Sequence, residues 1–146
     1  MLIIIHSETN QHTINRNLGR SEYSYYFVLK EYRPVLERLG RVVEVADPVA
    51  EVDALYADCH ARGEPCVFLS FSPPHRTPVH LACPTLPVFA WEFSTIPNEP
   101  FNGDPLNDWR TALRTVAAAS PPWAPTPGIS SGSVGAMART RSISCG

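Results

Sequence analysis

"RVVEVADPVAEVDALYADCHARGEPCVFLSF", residues 41 to 71, decides the fold. It opens on a short β-branched run and then sets Asp47 before Pro48. A carboxylate can cap the first turn of a helix there, and a proline fits the first helical position, where its missing N–H costs nothing. Val49, Val52, Tyr56 and Cys59 recur at helical spacing and predict a buried stripe, and Gly63 stops the helix. The apolar run 66 to 71, ended by Pro73 and Pro74, then reads as a buried strand. Strand, helix and strand at this spacing make a βαβ unit with parallel strands, since only a parallel pair needs so long a crossover.

The same alternation extends outward. Leu2 to Ile5 is a continuous apolar run and predicts a buried strand over 1 to 6, followed by the long polar loop "HSETNQHTINRNLGRSE". Ser21 caps a helix in "SEYSYYFVLKEYRPVLERLG", where Tyr25, Leu29 and Tyr32 share a face, Val35, Leu36 and Leu39 continue the apolar side, Pro34 is expected to kink it and Gly40 closes it. Downstream, "LPVFAW" (86 to 91) predicts another buried strand, which with 66 to 71 is expected at the centre of the sheet. Asp104 and Pro105 open a last helix, "PLNDWRTALRTVAAA", with Leu106, Trp109, Leu113 and Val116 on one side. The expected fold is therefore α/β, a Rossmann-like open parallel sheet flanked by helices over residues 1 to 119. In such folds ligands bind at the carboxyl ends of the strands, so the loops 7 to 20, 71 to 78 and 92 to 104 are expected together on one edge.

Composition narrows the function classes. The 146 residues are 44% hydrophobic and 18% charged, which suits one globular domain. A formal net charge of -2 lacks the basic excess of a nucleic-acid binder. "MLIIIH" has no positive leader and falls far short of the roughly 20 apolar residues that cross a bilayer, so no transmembrane segment and a cytoplasmic location are expected. Without a secretory signal, Cys59, Cys66, Cys83 and Cys145 are expected as reduced thiols. From Ser120 the chain turns rich in Pro, Ser and Gly and loses all acidic residues and any period; 120 to 146 reads as a low-complexity tail, disordered or frame-shifted.

Three segments past strand ends hold the candidate chemistry. In "NLGRSEYSY", Gly19 permits close backbone approach to a ligand, and Ser21 at a helix start leaves N–H groups suited to a phosphate or a sugar hydroxyl. Glu22 can accept from a sugar hydroxyl or simply complement the helix dipole. In "SFSPPHRTP", two prolines stiffen a loop carrying Ser72, His75 and Arg76; His75 can carry a proton or donate a hydrogen bond, and Arg76 can hold a phosphate, against the plainer reading of two solvated surface groups. In "LPVFAWEFSTIPNEPF", strand alternation would set Trp91 and Phe93 opposite Glu92, so that a ring face and a carboxylate can line a sugar-binding cleft; the alternative is that Glu92 pairs with an arginine and both rings are core. His75, His80 and Cys83 fit no zinc spacing, and no dinucleotide fingerprint, phosphate loop or Gly-x-Ser-x-Gly elbow is present.

Taken in order, "NLGRSEYSY", "FLSFSPPH", "CPTLPVFAWEFSTIP" and "NDWRTAL" resemble the amino-terminal domain of bacterial glycosyltransferases of the two-domain GT-B type, glycosyl transferases group 1 or family 4. The similarity covers residues 1 to 119. It implies that this half shapes the acceptor site, with His75 and Glu92 as catalytic candidates and Gly19, Arg20, Ser21, Glu22, Ser72, Arg76 and Trp91 as substrate-binding candidates. It further implies a sugar or glycan acceptor as partner and a nucleotide-sugar donor as co-substrate, with no metal or other cofactor. The donor-binding half of the family has no counterpart in this sequence, so the chain reads as a truncated enzyme, inactive alone. A non-catalytic carbohydrate-binding or interaction module is the other reading of the same cleft.

Overall fold

The structure, a computed structural model, describes residues 1–9 and 23–119. Four parallel strands, β1 (Leu2–Ser7), β2 (Arg41–Glu44), β3 (Cys66–Phe71) and β4 (Thr85–Val88), form one sheet in the order β2-β1-β3-β4. Three helices flank it: α1 (Tyr23–Leu39), α2 (Pro48–Ala61) and α3 (Trp109–Ala119). Short 3-10 turns stand at Pro74–Arg76 and Pro105–Asn107. This is the expected Rossmann-like α/β arrangement. The order reverses direction at β1, so right-handed crossovers place α1 and α2 on opposite faces of the sheet.

Alternation along β1 serves both faces at once. Leu2 and Ile4 join Phe68, Val52 and Cys59 under α2, whereas Ile3 and Ile5 join Phe71, Tyr25, Leu29 and Leu36 under α1. Asp47 caps α2 as its sequence promised, with Oδ1 accepting from the N–H of Val49 and Ala50 at 3.1 and 3.2 Å. Gly40 is required where α1 turns into β2: a Cβ there would collide with the carbonyl of Met1, which accepts the N–H of Arg41 at 3.0 Å.

Several expectations are corrected. Val49 lies 73% exposed, because the α2 stripe that meets the sheet runs through Pro48, Val52 and Cys59, and Val49, one residue on from Pro48, is turned about 100° off that line. On α1 the buried line is Tyr25, Leu29 and Leu36; Val35 and Leu39 are more than half exposed, and Tyr32, though half exposed, sets its ring edge-on to Phe71 at 5.9 Å. Of the two strands expected at the centre, β3 is central and β4 is an edge. Pro87 suits that position. The Phe68 N–H donates to the carbonyl of Pro84 at 2.9 Å, so in a parallel ladder Leu86 and Val88 turn their polar groups to β3 and Pro87 turns its missing N–H to the open side. β4 also ends at Val88, three residues short of the expected Trp91. The last helix starts at Trp109, after a separate turn at Pro105–Asn107.

Candidate functional site

The carboxyl ends of β1, β3 and β4 deliver three loops to one edge of the sheet, and side chains tie them together. Glu8, just past β1, receives Arg76 Nη1 from the loop after β3 at 2.7 Å. His75 in that loop accepts at Nδ1 from Trp109 Nε1 at 3.0 Å, and the two rings lie near-parallel with centroids 6.1 Å apart. Trp109 in turn meets Phe89 at 5.5 Å and Trp91 at 4.5 Å. The loop after β4 hangs from the start of α3: Trp109 N–H donates to Pro97 O at 3.0 Å and Arg110 Nη2 to Asn98 O at 2.6 Å. Asp108 caps α3 by accepting the Arg110 N–H at 2.9 Å and is gripped by the Arg110 guanidinium at 3.0 and 2.8 Å. That guanidinium holds the Asp108 carboxyl below the usual carboxylate range.

This geometry answers why the strand stops early. Just past β4, Phe89 and Trp91 set their rings against Trp109, which is only 5% exposed and anchors the cluster. Strand alternation therefore does not govern residues 91 to 93. The Trp91 and Phe93 rings instead pack on each other at 5.0 Å, 39% and 63% exposed, as an aromatic shelf open to solvent. Trp91 Nε1 is already bonded to Thr95 O at 2.7 Å, which leaves the indole its face for contacts. Glu92 is exposed between the two rings in sequence and makes no ion pair or hydrogen bond among the described residues, so the alternative in which it pairs with an arginine is not realised there.

A second feature lies at the point where the strand order reverses. Ser7, Glu8, Tyr25, Phe71, Ser72 and Pro73 line a narrow crevice between the ends of β1 and β3. Ser7 is 4% exposed, and its Oγ has no hydrogen-bond partner among the described residues. A buried hydroxyl without a partner costs about 1–3 kcal/mol, so a ligand group that reached it would recover that cost. Ser72 is not available in the same way. It is 2% exposed, and its Oγ is held by Ser70 Oγ at 2.8 Å and Thr77 Oγ1 at 3.4 Å, which makes it a brace for the loop carrying His75.

Of the residues expected in the site, the structure gathers Ser72, His75, Arg76, Trp91 and Glu92 into the loops of one sheet edge. Gly19, Arg20, Ser21 and Glu22 lie outside the described residues, as does the segment 120 to 146. Sequence reading missed Ser7, Glu8 and Trp109 as site residues. The signal for the first two was their place at the end of a buried strand; for Trp109 it was an aromatic at the very start of a helix. A larger open groove of about 610 Å³ follows α3, lined by His80, Thr111, Arg114, Thr115, Ala118 and Ala119, and holds none of these strand-end groups. Among the described residues no set of three or more His, Cys, Asp or Glu is placed to hold a metal ion, and no helix is long and apolar enough to cross a membrane. Comparison of the chain with protein-family models, curated proteins and solved structures finds no match.

Proposed function

We propose that residues 1 to 119 form the acceptor-side domain of a glycosyltransferase of the two-domain GT-B type, binding a sugar or glycan on the shelf of Trp91 and Phe93 beside Glu92. The observation that carries this reading is the shelf itself: two aromatic rings, 39% and 63% exposed, on either side in sequence of an exposed carboxylate with no partner among the described residues, hung from α3 at the carboxyl edge of a parallel sheet. Aromatic faces stack on the apolar faces of sugars, and a carboxylate accepts from their hydroxyls. His75 stands in the neighbouring loop, bonded through Nδ1 to Trp109, the residue against which Trp91 packs. A nucleotide sugar serves as donor, bound by a second α/β domain, so this chain alone binds acceptor without turning over donor. A non-catalytic carbohydrate-binding module would use the same shelf and differ only in having no donor partner.

Saturation-transfer NMR with a panel of mono- and disaccharides tests the reading. Ring-face protons of a bound sugar should receive saturation from the chain, and Trp91→Ala should reduce the effect strongly. Absence of any saccharide signal at millimolar concentration, or a signal indifferent to Trp91→Ala, would overturn it. Nucleotide-sugar hydrolysis or transfer by the chain alone would overturn the division into acceptor and donor halves.

A further inference from the structure

At the opposite end of the sheet from the aromatic shelf, three free cysteines are buried together. Cys66 opens β3, Cys83 lies two residues before β4 on the same face, and Cys59 reaches them from α2. The register of β3 and β4 begins at Phe68 and Thr85, and Cys66 and Cys83 each lie two residues before that pair, Cys83 in the bend that leads into β4. Their sulfurs are 3.9 Å apart. A disulfide needs its two sulfurs at about 2.05 Å, so the pair has to close by roughly 2 Å to bond.

The surroundings favour reaction at one of the two. Cys59 and Cys83 are 0% exposed, whereas Cys66 is 9% exposed. Cys59 accepts from Arg62 Nη2 at 3.7 Å and donates to Glu64 Oε2 at 3.7 Å, and Arg41 lies 3.7 Å from the same carboxylate, so two guanidinium groups stand at the mouth of the cluster. Hydrogen bonding from Cys83 pulls the Cys66 thiol below its ordinary value, and the same contact with burial pushes Cys83 up.

We propose that Cys66 and Cys83 are a redox-active dithiol, which a hydroperoxide converts to a disulfide that pins the edge strand β4 to β3. Cys66 Sγ, as thiolate, attacks the terminal peroxide oxygen; the O–O bond breaks, the departing alkoxide or hydroxide takes up the thiol proton, and Cys66 becomes a sulfenic acid. Cys83 Sγ then attacks the Cys66 sulfur; the S–O bond breaks, and the leaving hydroxide departs as water with the Cys83 proton. Two thiols and one hydroperoxide give one disulfide, one alcohol or water, and one further water. β4 is only four residues long, is the edge of the sheet among the described residues, and leads directly into the loop that carries the aromatic shelf, so a covalent tie at its start restrains the element on which that loop depends.

The test treats the Cys145→Ser chain with hydrogen peroxide, quenches it, alkylates under denaturing conditions and maps the digest by mass spectrometry. The expected result is loss of two of the three remaining thiols, a Cys66–Cys83 linked peptide lighter by two hydrogens, full reversal by dithiothreitol, and a higher melting temperature of the oxidised form. In Cys83→Ser the linked peptide should vanish, and dimedone should label Cys66. Three alkylatable thiols after peroxide, or a linked peptide that joins Cys59 to either partner in place of Cys66–Cys83, would overturn the proposal. Both of these readings come from the Cys145→Ser chain, so they stand even if Cys83→Ser does not fold.

Discussion

Trp109 Nε1 donates to His75 Nδ1 at 3.0 Å, and this one bond joins the loop after β3 to the helix that supports the loop after β4. An indole N–H can only donate, so Nδ1 must accept, and neutral His75 carries its proton on Nε2. Imidazole nitrogen chemical shifts should show the Nε2–H tautomer. Trp109→Phe keeps a ring in the cluster but removes the donor; the tautomer preference should relax, with a stability loss of about 1 kcal/mol from the bond itself. A dominant Nδ1–H tautomer in the wild-type chain would mean that this contact is not formed in solution.

The Arg76–Glu8 pair at 2.7 Å looks strong by distance, yet the two side chains are 44% and 40% exposed. Solvent screening limits such pairs to about 0.2–1 kcal/mol. Glu8→Gln should therefore shift chemical denaturation by less than about 1 kcal/mol, and the shift should shrink further in high salt. A larger, salt-insensitive loss would show that Glu8 supports the crevice through more than this pair.

Burial ranks the core differently. Phe68 is 0% exposed at the centre of the sheet, and Phe68→Ala should cost about 3–5 kcal/mol, whereas Val49→Ala, at a side chain 73% exposed, should change little. Equal effects at the two positions in urea denaturation would contradict the assignment of the α2 stripe.

That contrast marks where the sequence was sufficient and where it was not. Strands and helices were legible because long apolar runs and clear caps, such as Asp47 before Pro48, are local signals. Val49 was misplaced because Pro48, read only as a helix starter, is itself the first residue of the buried line that continues through Val52 and Cys59. The early stop of β4 was not readable, since the ring that Phe89 and Trp91 meet past the strand end, Trp109, lies on another element. The same holds for the site. His75, Trp91 and Glu92 could be named from their loops, but Glu8, which pairs with Arg76, lies 68 residues away, and a Ser7 hydroxyl with no partner among the described residues appears only once β1 and β3 are neighbours.

Asp108 and Glu64 set the acid side of stability. Both carboxyls are held below their ordinary values, Asp108 chiefly by Arg110 and Glu64 chiefly by Arg62. A depressed folded-state value contributes stability above the unfolded carboxylate range of about 4, and that contribution is lost as pH falls through the folded value. Melting temperature should thus drop on acidification below about pH 4, and Asp108→Asn should flatten that drop while lowering stability at neutral pH. An identical pH profile in the variant would remove Asp108 from this account.

The shelf gives the last expectation, and it separates stacking from hydrogen bonding. Trp91 offers a ring face whose N–H is already satisfied by Thr95 O at 2.7 Å, so its contribution to a bound sugar is contact with apolar ring carbons. Trp91→Ala should weaken saccharide binding about tenfold, the equivalent of about 1.4 kcal/mol. Glu92 contributes through charge, since a carboxylate accepts more strongly from a hydroxyl than a neutral amide does; Glu92→Gln should weaken binding several-fold and raise the enthalpy less favourably in calorimetry. Because Glu92 is exposed and has no partner among the described residues, its substitution should leave the melting temperature unchanged. Phe93→Ala, at the 63% exposed outer end of the shelf, should fall between wild type and Trp91→Ala. Wild-type affinity in both Trp91→Ala and Glu92→Gln would return the shelf to a packing role.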